Sequence, residues 1–382
     1  MWQYSFPRQL KLVFAILAVV VVVACGGNPS GSEVPPLPPP EPAPASITMG
    51  GQSVYIPPGP DRLDDVPVDL PAAIQLGITM MDSERMVKSR CGGRARLGWK
   101  RCLGDYLIAA SDPDGSVIMV EAYEGRPSTP ANFSIRCERN DGACDVGVNV
   151  PLIVEAPPGW TVVAIRTAVW GKLGPDGIVG AVYVPYSSRL NTPVLRLAGL
   201  DYLVQAISLA HSELEAAQVP SQYIEGFQAT EFGTTDHVVT LTLTEQMRSD
   251  LHFVEGDTSD RVEMLNRSLT ILGGNLAGTS RFSRSRVGAA GIVQLMPKTY
   301  KALRTQYPLA DLPEDVVEGR VNHNSAFKAA IVHTDSEWWA LRSEGRRIYR
   351  DFLLTHPRER RLVFAAGYNA NIRTVVRAIE RC

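Results

Sequence analysis

Neither sign of charge is in surplus in this 382-residue chain: 38 Lys and Arg stand against 40 Asp and Glu, a formal net charge of −2. Nucleic-acid binding calls for a basic patch or stripe, so no nucleic-acid partner is expected. Histidine is absent around the four cysteines Cys91, Cys102, Cys137 and Cys144. Their spacings also miss the Cys-x2–4-Cys of a zinc knuckle, so no metal is expected there, and nothing elsewhere calls for a cofactor. The N-terminal apolar run, Leu12 to Ala24, falls short of the roughly twenty residues that a membrane-spanning helix needs.

That run has the layout of a secretion signal, with Arg8 and Lys11 at its head and Cys25-Gly26-Gly27 at its end. Val22-Val23-Ala24-Cys25 resembles the bacterial lipobox. The resemblance implies removal of residues 1–24 and diacylation of Cys25, and acyl chains at about 0.8 kcal/mol per buried methylene would hold the protein on a membrane. Gly26 rather than Asp after the cysteine favours, by the same resemblance, the periplasmic side of an outer membrane where the host has one. Residues 25–73 are rich in Pro, Gly, Ser and Glu, including Pro35-Pro36-Leu37-Pro38-Pro39-Pro40. Such a stretch reads as a stiff polyproline spacer that carries the domains off the membrane surface.

Residues 74–190 read as a small all-β domain. Tyr106–Ala110, Ser116–Ala122 and Thr161–Ala168 are short apolar or alternating runs. Turn formers such as Asp112-Pro113-Asp114-Gly115 and Pro157-Pro158-Gly159 separate them. Four cysteines in an exported domain point to two disulfides with three pairings open, and the local pairs, Cys91 with Cys102 and Cys137 with Cys144, are favoured. Cys382 then remains free or pairs with another chain. No catalytic constellation stands out in this region.

From 195 to 382 the pattern becomes mainly helical. Leu197, Leu200, Leu203, Val204, Ile207 and Leu214 mark a helix ending near Gln218. Val219-Pro220 opens a second, expected to run to Glu231-Phe232-Gly233. Val238–Thr244 alternates and reads as a strand, and another helix spans about 260–272. The chain as a whole is thus expected to be α+β. Its most pointed stretch is Ser285–Tyr300, where Gly288 and Gly291 precede an apolar run holding one amide, Gln294, and Met296-Pro297 opens a helix. Glycines there let main chain approach a ligand, and a single polar group in an apolar wall is a typical orienting group. A plain glycine turn feeding a core helix fits the same spacing.

Ser285, Gly288, Ala289, Gly291, Gln294, Leu295, Met296, Pro297 and Thr299 resemble the signature of the soluble lytic transglycosylases, lysozyme-like enzymes that cleave peptidoglycan. Ala365-Ala366-Gly367-Tyr368-Asn369-Ala370, some seventy residues on, is similar to their second box, with Asn371 where the family has glycine. Asn324–Ala330 resembles the helix that packs between the two marks, and Trp338 and Trp339 pack there or line a sugar groove. The resemblance implies that peptidoglycan glycan strands are the partner, with the bond between N-acetylmuramic acid and N-acetylglucosamine cleaved to a 1,6-anhydro product. Gly291, Gln294, Tyr368 and Asn369 would hold substrate.

Such chemistry needs one carboxylic acid in an apolar cleft, protonated near neutral pH. The family's glutamate slot falls on Leu276 or, with a gap, on Thr279, and neither transfers a proton as an acid. Glu231, at the end of the helix opened by Pro220, has the most family-like surroundings and is the candidate catalytic acid. Glu225, Glu255 and Glu263 are its rivals. A catalytically inactive peptidoglycan-binding or scaffold lipoprotein, which kept the groove and lost the acid, is the alternative.

Overall fold

The computed structural model describes residues 46–49, 52–55, 66–82, 89–90, 100–101, 103–123, 133–137, 152–170, 178–247, 258–281, 283, 285, 287–343, 346–370, 372–379 and 381. The signal segment, Cys25, Cys91, Cys102, Cys144, Cys382 and the side chain of Cys137 lie outside the described residues. Within the expected spacer, β1 (Ser46–Met49) and β2 (Gln52–Tyr55) pair antiparallel. The boundary at residue 74 falls inside α1 (Leu70–Asp82), so the domain that follows is not all-β. The signal for α1 is a helical stripe: Leu70, Ala73, Ile74 and Met81 are all buried. Asp69 caps it, its Oδ1 accepting from the Ala72 N–H at 3.0 Å.

The strands are β3 (Ser89–Arg90), β4 (Lys100–Arg101), β5 (Leu103–Ser111), β6 (Val117–Tyr123), β7 (Ser134–Cys137), β8 (Leu152–Glu155), β9 (Thr161–Trp170) and β10 (Ile178–Tyr183). The long ones form an antiparallel sheet in the order β10-β9-β5-β6, extended by β3 on β5 and β4 on β9, while β7 and β8 pair separately. Both faces are buried. Leu107 and Ala109 lie under α1, whereas Tyr106, Ile108 and Ala110 pack with Phe133 and Val154 on the other side. Ala109 pairs with Ala164 but Ala110 with Val162, which leaves Val163 as a bulge. The bulge explains how Val162 and Ile165, three apart, share one face.

The helical part holds α2 (Pro193–Ala216), α3 (Thr235–Gln246), α4 (Thr258–Asn275), α5 (Pro297–Gln306), the single turn α6 (Glu318–Val321), α7 (His323–Ser336), α8 (Arg347–Thr355), α9 (Pro357–Ala370) and α10 (Ile372–Ile379). By length and composition α2 could cross a membrane, yet Leu200, Leu203, Ile207, Ala210 and Leu214 pack into the helical core. At the centre lies α7, whose Ala326, Phe327, Ala329, Ala330, Ile331 and Val332 are fully buried around its circumference.

Two expectations change here. The helix expected from Val219 to Gly233 does not form; only Ala229–Glu231 makes a 3-10 turn. Gln218 takes a left-handed conformation (φ 49°) and breaks the run. The Asp335 carboxylate then ties down the following loop, accepting from Ser221 Oγ at 2.5 Å, the Gln222 N–H at 2.9 Å and the Tyr307 hydroxyl at 2.8 Å. The expected strand at Val238–Thr244 is instead part of α3. Its buried residues Val238, Val239, Leu241 and Thr242 make one helical face. Thr240, Thr242 and Thr244 each return the hydroxyl to the carbonyl four residues back, at 2.7–2.9 Å. Self-satisfied threonines let a β-branched, alternating sequence stay helical.

Candidate functional site

The signature stretch folds as a tight hairpin in which Ala290 and Leu295 exchange both backbone bonds, at 3.1 and 3.2 Å. Gly291 has φ 76°, and a Cβ on it would lie 1.8 Å from the Arg320 carbonyl oxygen. Arg320 in α6 in turn donates to the carbonyls of Gly288 at 2.8 Å and Leu295 at 3.1 Å. On the side where a Cβ would project, the glycine therefore admits protein backbone. Gln294, also left-handed (φ 48°), folds its amide back to the Gly291 carbonyl at 2.7 Å and to Ser283 Oγ at 3.1 Å.

Two elements close on this hairpin. From α9, the Tyr368 hydroxyl donates to the Val293 carbonyl at 2.6 Å. From the last turn of α3, the Gln246 amide donates to the Ile292 carbonyl at 2.6 Å, while its oxygen accepts from Ser280 Oγ at 2.5 Å. The neighbour of Gln246 is Glu245, whose charge reaches Tyr368. Burial first, then the charges of Glu245 and Glu337, push the Tyr368 phenol well above its usual pKa. Two carboxyl groups thus act on Tyr368, one from α3 and one from the 3-10 turn after α7.

Glu337 lies in the wall of a polar cleft of about 610 Å³, beside Tyr368, His333, Trp339 and the α5 residues Thr299 and Gln306. It is 6 % exposed, and its Oε2 has no hydrogen-bond partner. Burial pushes its pKa from 4.5 to about 8. His333 Nδ1 is 3.5 Å from Glu337 Oε1, but burial lowers that imidazole to about 4. Both groups are therefore neutral at pH 7 rather than an ion pair. His333 also packs edge-on to Tyr368, with ring centroids 4.9 Å apart. Gly367 makes room for the carboxyl, since a Cβ there would meet Glu337 Oε2 at 2.7 Å.

The residues expected from sequence are scattered by comparison. Glu231 is exposed, and its carboxylate accepts the Gln228 N–H at 2.8 Å in a capping box. It does not line the cleft, and it lacks the apolar surroundings that a protonated acid needs. Phe232 is itself buried and packs edge-on against Trp338. Glu225 is also exposed. Glu263 accepts from the Tyr186 hydroxyl at 2.6 Å, at the junction with the sheet. Glu255 and the Asn369 side chain lie outside the described residues. Of the expected binding residues, Tyr368 lines the cleft, while Gln294 belongs to the hairpin behind it.

Leu276 and Thr279 are not in the cleft either. They follow α4, whose C-terminal Asn275 docks on the β domain: its Oδ1 accepts from the Val184 N–H at 2.8 Å and its Nδ2 donates to the Val184 carbonyl at 2.9 Å. Thr279 is buried, with its carbonyl 2.7 Å from His323 Nε2. The helix that meets the hairpin in space is α3, not α4, which precedes it in sequence. Reasoning from sequence missed Glu245 and Glu337. A Glu-Gln pair closing a helix was the signal for the first, and a glutamate followed by Trp338-Trp339 for the second. Among the described residues, no three His, Cys, Asp or Glu side chains gather as a metal site. Comparison of the chain with protein families, with curated proteins and with solved structures finds no match.

Proposed function

We propose that the cleft around Tyr368 is the active site of a peptidoglycan lytic transglycosylase-like enzyme, with Glu245, which acts on Tyr368 electrostatically and is not itself among the lining residues of the cleft, as its acid. The observation that carries the reading is the convergence of the α3 terminus, the hairpin and Tyr368. Gln246 fastens the end of α3 to Ile292, and the adjacent Glu245 acts electrostatically on Tyr368. In this reading the protonated Glu245 gives its proton to the glycosidic oxygen as the C–O bond breaks and the bonding pair leaves with that oxygen. The resulting carboxylate then accepts the proton of the sugar's C6 hydroxyl while that oxygen attacks the anomeric carbon, closing a 1,6-anhydro ring. No water is consumed and the acid is regenerated.

Glu337 plays a different part. A carboxyl held neutral in the cleft wall offers an O–H donor to a sugar hydroxyl or acetamido oxygen without placing a second negative charge beside the acid. The binding-only alternative rested on Leu276 filling the acid's slot. Leu276 follows α4, whose Asn275 docks on the β domain, and is not among the lining residues of the cleft. Tethering through an acylated Cys25 and a disulfide-bonded β domain belong to the same proposal.

The test is the mature protein incubated with purified peptidoglycan, with anhydro-muropeptides counted by mass spectrometry. Glu245→Gln should lower turnover by a factor of about 10²–10⁴, whereas Glu231→Gln should leave it near wild type. An active Glu245→Gln protein, or a wild type that makes no anhydro product, overturns the reading.

A further inference from the structure

Between α8, α9 and α10 lies an apolar groove of about 460 Å³. Ile348, Tyr349 and Phe352 of α8, Leu362 of α9, and Val376 and Ile379 of α10 line it, and Glu359 is the one acid among its described lining residues. Three of these large apolar side chains stand in water: Ile348 is 74 % exposed, Phe352 47 % and Leu362 38 %. Ile348 and Phe352 are one turn apart and so share a face of α8. An exposed apolar patch with a polar rim marks a contact surface. Here the rim is basic. Arg347 precedes Ile348, Arg358 precedes Glu359, Arg377 follows Val376 and Arg381 lies two residues past Ile379, and all four are exposed. Of the chain's 38 basic residues, ten fall between 342 and 382, all of them arginine, with four of its 40 acids; this leaves 28 basic against 36 acidic in the rest. One of those four acids, Asp351, lies 3.7 Å from Arg347 and 3.6 Å from Arg350, and from outside the segment Asp236 lies 3.9 Å from Arg361. The excess outlasts these pairs, and net charge rather than open donors is what draws an anionic surface.

We infer that this face of α8, α9 and α10 docks on an anionic lipid bilayer. Its apolar side chains enter the boundary between headgroups and acyl chains, and the arginines of the rim lie at the level of the phosphates. Charge selects this occupant. A second copy of the chain would bring one arginine-rich rim against another, and like charges repel. A neutral surface would cover the groove but leave the rim unanswered. An anionic leaflet meets both features, with hydrocarbon for Ile348, Phe352 and Leu362 and negative headgroups for the arginines. Arginine also suits such a boundary by itself, since its stem runs along apolar surface while the guanidinium stays in a polar layer. Docking would fix the height of the cleft above the leaflet. Leu362 of the groove and Tyr368 of the cleft lie on the same helix, α9, about 9 Å apart along its axis. The inference depends neither on the glycan-cleaving reading nor on acylation of Cys25.

The test uses the mature chain produced without residues 1–24, so that Cys25 carries no acyl group. Its co-sedimentation is measured with vesicles of phosphatidylcholine alone and of phosphatidylcholine mixed with phosphatidylglycerol, at low and high salt. At about five-fold in partition for each arginine near an anionic leaflet, the four rim arginines imply a preference for the mixed vesicles on the order of a hundred-fold, shrinking as salt is added. Arg358→Gln/Arg377→Gln should bind the mixed vesicles about ten-fold or more weakly. Ile348→Gln/Phe352→Gln should weaken binding as well, with the charge unchanged. A tryptophan placed by Phe352→Trp should gain quenching from lipids brominated in their acyl chains, which reports entry below the headgroups. The single variant Ile348→Gln, at the most exposed apolar position of the groove, keeps the test valid if a double variant fails to fold. Equal sedimentation of wild type with both kinds of vesicle overturns the proposal, as does undiminished binding by either folded double variant. A dimer in solution that Ile348→Gln dissociates would overturn it too, by giving the face to a second copy.

Discussion

Replacing Glu337 with glutamine should make stability less sensitive to alkali. In the folded protein the Glu337 carboxyl titrates near pH 8 because burial disfavours its charge, against 4.5 when exposed. Between those values the folded state holds a proton that the unfolded state has released. Stability is therefore fully present below pH 4.5 and declines as pH rises toward 8, by about 1.4 kcal/mol per pH unit. The groups that face Glu337 do not mask the effect. Burial lowers His333 to about 4, and the more distant His237 likewise. Each contributes stability that is present above 6.5 and lost as pH falls toward 4, so both are silent in the alkaline window. Tyr368, pushed well above its usual range, stays protonated throughout.

From pH 6.5 to 8 wild type should thus lose about 2 kcal/mol that Glu337→Gln does not. At about 2–4 °C per kcal/mol, that is roughly 4–8 °C in Tm. Thermal unfolding followed by circular dichroism at matched ionic strength, at half-unit steps from pH 6 to 8.5, reads it directly. Taking the difference between the two proteins cancels every group they share. Parallel Tm curves would refute the neutral, buried carboxyl and, with it, its role as an uncharged donor in the cleft.

Gly291→Ala puts a methyl group 1.8 Å from the Arg320 carbonyl at a left-handed backbone position. It should cost more than about 2 kcal/mol, read as a lowered denaturation midpoint, and a midpoint equal to wild type would show that the hairpin does not need this approach. Mass spectrometry of protein isolated from its membrane after thiol alkylation should find Cys25 acylated at the N-terminus and Cys91, Cys102, Cys137 and Cys144 all unalkylated. An unmodified Cys25 would remove the tether, and four alkylated thiols would remove the disulfides.

Legibility in the sequence followed how local each signal was. Met296-Pro297 announced α5, since proline at a first turn needs no partner, and the apolar stripe from Leu197 announced α2. The stripe of α1 was equally plain in spacing but began inside the stretch assigned to a spacer. By contrast, Val238–Thr244 alternates in the manner of a strand, and only the return of its threonine hydroxyls to their own helix makes the α form self-consistent. That single reversal of period hid Glu245, because a helix ending at Gln246 was read as a strand ending before it. The insertion of α4 then placed Leu276, rather than a carboxyl, at the expected distance before the hairpin.

Two acids of the same turn differ in what their carboxyl groups are bonded to. Asp335 and Glu337 are both buried acids at the C-terminal end of α7. Asp335 receives three donors, from Ser221, Gln222 and Tyr307, and so spends its charge on fixing the loop from Ser221 to Phe227 against the core. Glu337 has no donor on Oε2 and only a neutral imidazole near Oε1. Leaving a buried polar atom unmade costs about 1–3 kcal/mol, and folding alone would favour an apolar residue at that position. The cost is offset if the vacant lone pairs and the retained proton meet a ligand in the cleft. On the same reasoning Glu231, exposed and with its carboxylate engaged in a cap, serves the turn that holds it.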